Sequence, residues 1–381
     1  MSLIVVDYKV SAYQPGKWVV EVNSEHFIVQ DNVKILIDIL ANAKTKQEAL
    51  IKFNAHFTQE LNRVEFESFC KQTLEKVNLV DSEIGTAPAK TKSFLQLEKI
   101  LFSKKTTDQV VRVFGYLFIP KIFWGAFIIL SVASVISIYK IPIIGSTKIP
   151  VIWVILLYLP TVLLHEIGHV AACKKFTGQA SEIGIGIYIV FPVFFSNISA
   201  IWHATKQERI ITNLAGVYMQ LWCMLVFIMF YLLTGLLLFQ HMIFLTGIYN
   251  FFQLFPFIRS DGYWLLSDIT STPNLLANSK EILKNSLFPP YKIPITIHWK
   301  RVFLFAYGAF NFLLIGYFVY YQFGYNWQEI IEFPSVVWTM LTQVVTLQFS
   351  KIDFQYNYMS YIIVYFVLYS YGTKAIKYLY K

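Results

Sequence analysis

The chain has 381 residues, 56% of them hydrophobic and 14% charged, with 32 Lys+Arg against 23 Asp+Glu for a formal net charge of +9; its mean hydropathy is +0.52. Soluble domains run to about 45–50% apolar and about 25% charged residues, so an ordinary water-soluble fold is excluded and a polytopic α-helical membrane protein is expected. The basic excess is not a nucleic-acid footprint, because it sits beside apolar runs, at Lys104 and Lys105, Lys174 and Lys175, Lys206 and Arg209, Lys300 and Arg301, and Lys374 and Lys377, as the positive-inside rule requires.

The first 85 residues differ from the rest and predict a small cytosolic α+β unit. "MSLIVVDYKV" lacks the basic start and sustained apolar core of a signal peptide, so the chain is expected to begin in the cytoplasm. "KVSAYQ" and "KWVVEV" flank Pro15-Gly16 and predict a hairpin of two short strands. Asp31 is expected to cap a helix over "NVKILIDILANA", and Thr45 with Glu48 and Asn62 with Glu65 supply capping signals for two more. In the last of these, Phe66, Phe69, Thr73 and Val77 recur at helical spacing and predict a core-facing stripe. "TAPAKTK", 86–92, reads as a linker within a juxtamembrane segment, 86–118.

The membrane domain is expected over 119–381. Runs long enough to cross a bilayer, roughly 20 mostly apolar residues, occur at 119–139, 149–172, 210–233, 238–257, 302–323 and 357–376, which predicts six spans. The shorter stretch 334–349 is interrupted by polar residues and reads as external or interfacial. Following the lysines and arginines puts both termini inside, and leaves Glu329 and Glu332 in an outer loop. Cys70, Cys173 and Cys223 form no CxxC pair and predict no disulfide framework.

The second run contains "LLHEIGHV", 163–170. On a helix His165 and His169 are one turn apart on one face, so both imidazoles can ligate one Zn2+, and Glu166 can reach a metal-bound water as general base. An unpartnered charge at the bilayer centre costs at least ~2.5–3.5 kcal/mol, which makes an intramembrane glutamate a functional candidate. Gly168, Ala171 and Ala172 keep the helix thin enough for a close neighbour. A catalytic zinc needs a third protein ligand and an open position. Asp261 in "QLFPFIRSDGYWLLSD" is the best candidate, after the break at Pro256 and beside Gly262, where the backbone is expected to turn; Asp268 is its rival. His203 is assigned a structural role, and His26, His56, His241 and His298 none.

His165-Glu166-Ile167-Gly168-His169 at the inner end of one membrane helix, with Pro256 five residues before Asp261-Gly262 on a later one, resembles the site-2 protease family of intramembrane zinc metallopeptidases. With "ERIITNLAGVYMQ", 208–220, the resemblance covers residues 150–270. It implies that His165, His169 and Asp261 hold zinc, that Glu166 activates water, and that "GIGIYIVFPVFF", 184–195, forms a hairpin beside the site. Gln253 and Gln220 stand where the family commonly has Asn, and both retain a substrate-aligning amide. "DGYWLLSD" and the amino-terminal unit resemble a narrower branch, the peptide zinc metalloproteases, with a PqqD-like winged-helix domain at 1–85. That resemblance implies a leader peptide added as a strand along Trp18, Val20 and Val22 and docked on the helix 63–77.

The expected function is that of an intramembrane zinc metalloendopeptidase of the bacterial cell membrane. Its substrate would be a small precursor peptide in bacteriocin-like or other modified-peptide maturation. Its partners would be the precursor, the bilayer and an exporter or modifying enzyme, and not nucleic acid. A regulatory protease cutting a membrane-bound signalling protein and a non-hydrolytic export or immunity component are the alternatives. The first usually carries an extracytoplasmic gating domain, and none is expected from this sequence.

Overall fold

The computed structural model describes residues 7–23, 25–77, 79, 95–141, 151–188, 191–257, 259–287, 299–348, 355 and 357–379. The expected linker 86–92 and the boundary at residue 85 lie outside them. The chain resolves into two compact units, one of residues 1–93, 100–184 and 194–271, the other of 94–99, 185–193 and 272–381.

The first unit begins with three strands, β1 (Tyr8–Gln14), β2 (Lys17–Val22) and β3 (Glu25–Gln30), antiparallel in the order β1-β2-β3. The β1–β2 turn is the expected Pro15-Gly16, with Gly16 at φ +74°, a left-handed conformation open to glycine without a Cβ clash. Helices α1 (Asp31–Asn42), α2 (Lys46–Phe57) and α3 (Arg63–Glu75) follow. Thr45 accepts from the Glu48 N–H at 3.1 Å, and Asn62 and Glu65 form a reciprocal capping box with bonds of 3.0 and 2.9 Å. Asp31 does not cap. It lies inside the first turn of α1, and its carboxylate accepts from the Trp18 indole N–H at 2.5 Å.

Val20, Val22, Leu36, Ile37, Leu40, Phe53, Phe66, Cys70 and Leu74 share the core of these elements. On α3 the buried face is Phe66, Cys70 and Leu74, and Phe69 is 43% exposed. Of the expected stripe, Phe66 and Val77 lie in the core, Thr73 is half-buried and Phe69 stands at the rim. Phe66, Cys70 and Leu74 form an i, i+4 series, and Phe66 and Phe69 both lie against the Phe53 ring of α2, at 5.2 and 5.5 Å between ring centroids.

Next come β4 (Leu95–Phe102), α4 (Lys104–Val111), a 3-10 segment Arg112–Phe118, α5 (Pro120–Lys140) and α6 (Val151–Thr177). Strands β5 (Ile183–Tyr188) and β6 (Phe191–Ser196) precede a second 3-10 turn, Ser199–His203, and then α7 (Lys206–Thr234), α8 (Leu237–Gln253) and α9 (Asp261–Thr270). β4, β5 and β6 form one sheet in that order. The second unit adds α10 (Leu275–Leu287), α11 (Trp299–Gly324), α12 (Trp327–Val345) and α13 (Asn357–Leu379).

Among the described residues four helices are long and apolar enough to cross a membrane: Pro120–Lys140, Ile152–Thr177, Lys206–Thr234 and Trp299–Gly324. The other two expected spans correspond to α8, which has 17 residues, and to α13. At 1.5 Å per residue α8 reaches roughly 26 Å, short of a bilayer core of ~30 Å. The 334–349 stretch contributes to α12, whose helix passes through Pro334.

Two features lock the helices that matter for the site. A Cβ at Gly168 of α6 would stand 2.5 Å from the Ala215 carbonyl oxygen and 2.6 Å from Met219 Cγ on α7, so the two backbones are in contact there. Arg209 of α7, 1% exposed, donates from Nε to Asp268 of α9 at 2.6 Å, and Asn213 donates to the second oxygen of Asp268 at 2.8 Å.

Two stability predictions follow from these contacts. Gly168→Ala should destabilise the purified protein by ~1–3 kcal/mol, the usual cost of overpacking. Gly125→Ala on α5, with nothing within 4 Å of the added atom, should not, and paired thermal denaturation in detergent reads the difference. Asp268→Ala strands a buried guanidinium and should cost ~3–5 kcal/mol in the same assay.

Candidate metal centre

α6 carries His165 and His169 one turn apart, and their shared face turns toward α7 and the start of α9. His165 is 1% and His169 4% exposed. His165 Nε2 lies 3.0 Å and His169 Nε2 3.2 Å from Asp261 Oδ2, and the two nitrogens are 3.1 Å apart. Three donor atoms therefore converge in a near-equilateral triangle. Ligands at 2.0–2.1 Å in a tetrahedral set are separated by ~3.3 Å, so the triangle has the dimensions of three corners of such a set.

The outer ring nitrogens are also held. His169 Nδ1 donates to the Thr212 carbonyl at 2.8 Å, and His165 Nδ1 lies 3.3 Å from Gln220 Oε1. Both contacts leave Nε2 facing the centre, the arrangement by which partners of a ligating histidine fix its tautomer and orientation. Room for the two rings comes from Gly216 of α7. A Cβ there would fall 2.4 Å from His165 Nε2 and 2.5 Å from His169 Nε2.

Asp261 opens α9. Burial alone would raise its carboxyl pKa, but His169 and His165 reverse that and hold it well below the usual carboxylate range, so the group is an anion. Gly262 does not supply the expected turn. It is helical, and its missing side chain lets α9 start against the Leu254 backbone, whose carbonyl oxygen would lie 2.2 Å from a Cβ. Glu166, next to His165 on α6 and 9% exposed, accepts from Ser196 Oγ at 2.8 Å. Ser196 ends β6, so the strand pair expected over 184–195 is present and delivers a hydroxyl to Glu166.

Asp268, the rival to Asp261, is bound to Arg209 and Asn213 and is two helical turns along α9 from the triangle. Gln220 reaches the site through His165. Gln253 donates to the Tyr249 hydroxyl at 2.5 Å, and the Tyr249 ring packs 6.0 Å from that of His165, so Gln253 approaches the site only through that ring.

Trp18, Val20 and Val22 are not among the residues gathered at the triangle. They lie on β2, the middle strand, whose backbone is already paired on both sides. Val20 and Val22 are 0% and 1% exposed, so a peptide can neither add beside this strand nor touch those two side chains.

Gly216, Thr212, Ser196 and Tyr249 were not singled out from the sequence. Gly216 had a signal, being the glycine of the Leu-Ala-Gly element one helical repeat from Gln220. Ser196 and Tyr249 had none.

No protein-family model matches the chain, and no solved structure matches it. Over 206 residues the chain is 24% identical to the "Putative peptide zinc metalloprotease protein YydH" of Bacillus subtilis (strain 168), an alignment covering 50% of this chain and 76% of that protein. The chain is thus a membrane protein by its apolar helices, distantly similar to a protein named as a zinc metalloprotease, and it gathers two histidines and an aspartate at one buried point.

Proposed function

We propose that the chain is an intramembrane zinc metalloendopeptidase that cleaves a small precursor or leader peptide. The observation that carries this reading is the triangle of His165, His169 and Asp261 with Glu166 alongside. The donor set suits the metal: two imidazole nitrogens and an anionic carboxylate are ordinary zinc ligands, and three of them leave the open position a catalytic site needs. Zinc held there would supply Lewis-acid polarisation of a scissile carbonyl and acidify a water.

The remaining chemistry belongs to the chain. His165 and His169 present Nε2 because Gln220 and Thr212 hold the opposite nitrogens. Glu166 takes the proton of the attacking water and returns it to the leaving amine as the peptide bond breaks. Ser196 keeps the Glu166 carboxylate turned toward that water. Burial of His165, Glu166 and His169 keeps the site largely apart from bulk solvent.

Peptide recognition is proposed for the amino-terminal domain, in keeping with its PqqD-like pattern. With β2 enclosed on both sides, strand addition falls to an outer edge of the sheet, that of β1 or of β3, a mode in which main-chain bonds give affinity and side-chain pockets give choice. Val64 and Phe69 of α3, 77% and 43% exposed, offer apolar anchors. The lysine pairs at the inner helix ends favour a cell-membrane location with this domain in the cytoplasm.

Metal analysis of full-length protein should find one zinc fewer per chain in His165→Ala and in Asp261→Ala than in wild type; undiminished zinc in folded Asp261→Ala would remove that ligand. Gly216→Ala should weaken zinc binding by ~10–100-fold, the usual effect of disturbing the support of a ligating histidine.

Glu166→Gln should retain zinc and fold while precursor cleavage drops ~10²–10⁴-fold. Cleavage at the wild-type rate would instead favour a binding or export component. Val64→Glu with Phe69→Glu should raise the KM for precursor by ~10-fold or more through lost tethering and leave zinc content unchanged.

A further inference from the structure

Two histidines without a chemical assignment in the sequence lie together. The β2–β3 ladder sets Glu21 directly opposite His26, and the turn Ser199–His203 brings His203 against the pair. His203 Nε2 is 2.9 Å and His26 Nε2 3.9 Å from Glu21 Oε2. The two rings are 5.3 Å apart between centroids, and one donor atom from each of the three residues lies within 4.8 Å of the others. The side chains of His26 and His203 are 9% and 7% exposed. His26 Nε2 is buried without a hydrogen-bond partner.

We infer that Glu21, His26 and His203 form a second metal site, taking zinc or a similar late first-row divalent cation, that joins the amino-terminal domain to the membrane core. The inference is independent of the proposed reaction at the first site. Two imidazoles and one carboxylate select zinc-like cations over magnesium or calcium, which prefer oxygen throughout. A buried nitrogen with no partner is costly, and a cation at this point gives it one.

His203 is already oriented for the task. Its Nδ1 lies 2.6 Å from Ser11 Oγ, and a hydroxyl can donate or accept. His203 Nε2 can therefore change from an N–H donor to Glu21 into a ligand without losing the bond at Nδ1. Lys9 lies close enough to act on both rings and works against a cation; Glu21, in direct contact with His203, supplies the opposing charge. The His203–Glu21 separation of 2.9 Å is within the ~3.3 Å of a tetrahedral set and the His26–Glu21 separation of 3.9 Å is wider, so binding would draw the His26 ring of β3 inward.

The experiment uses full-length protein in detergent, stripped of metal and titrated with cobalt(II) as a visible probe. Three forms are compared: wild type, Glu21→Gln/His26→Gln, and His165→Ala/His169→Ala. Two cobalt ions per wild-type chain and one in each double variant are expected, with visible d–d bands persisting in His165→Ala/His169→Ala. The proposal is overturned if Glu21→Gln/His26→Gln binds as many ions as wild type, or if His165→Ala/His169→Ala elutes as a folded species and binds none.

If Glu21→Gln/His26→Gln does not fold, His203→Gln is added to the His165→Ala/His169→Ala background. It must lower cobalt affinity there at least tenfold; equal affinity overturns the site. One ion in wild type that disappears only with Glu21→Gln/His26→Gln would support this site and remove the membrane one, so the two readings fail separately.

Discussion

The candidate centre exists because α6 and α7 approach to backbone contact, and two glycines make that approach. Gly168 lets α6 touch the Ala215 carbonyl of α7, and Gly216 lets α7 accept the two imidazoles of α6. The two are reciprocal: one removes a side chain so that the helices can close, the other so that closure does not crush what lies between. A larger residue at either point separates the helices or displaces the rings. Every distance in the triangle with Asp261 then changes, since the aspartate comes from a third helix that is itself seated on α7.

α7 is the element that organises the polar groups. Arg209, Asn213, Gly216 and Gln220 recur at spacings of four, three and four, so they run down one face of a helix that is otherwise apolar. That face binds α9 through Arg209 and Asn213, holds His169 through the adjacent Thr212 carbonyl, makes room at Gly216 and reaches His165 through Gln220. Polar side chains within a membrane helix are costly and turn inward. Here each has a defined contact, and together they fix where Asp261 stands. An apolar helix with a polar stripe is thus not an irregularity in a span. It is the surface against which the site is assembled.

How much of this could be read in the sequence depended on whether a feature is local. His165, Glu166 and His169 were legible because one helical turn is a fixed geometry. The Pro15-Gly16 turn and the caps at Thr45 and Asn62 were legible for the same reason: each is complete within four residues. Asp31 failed because Trp18, on another element, competes for its carboxylate. The α3 stripe held at Phe66 and Val77 but not at Phe69, because packing of the helix against other elements buries Cys70 and Leu74 instead. Trp18, Val20 and Val22 were misjudged because β3 was not anticipated, and a third strand turns an apparent edge into the middle of a sheet. The choice between Asp261 and Asp268 could not be made from spacing. What separates the two is a non-local contact: Arg209, 59 residues before Asp268, occupies that carboxylate.

Arg209 also ties the amino-terminal domain to the centre. Its guanidinium lies 4.1 Å over the Tyr13 ring at the end of β1 while it bonds Asp268 and the Ala204 carbonyl at 2.8 Å. A cation stacked on an aromatic face and fully desolvated is held more tightly than a surface pair, at about 2 kcal/mol or more. Asp268 and Asp261 belong to one short helix, so the charge that seats the hairpin is the charge that seats the helix carrying Asp261. The β1–β2 hairpin is therefore packed on the charge cluster that seats the helix carrying Asp261. Moving the hairpin away would expose Arg209 and loosen its ionic contact with Asp268 of α9.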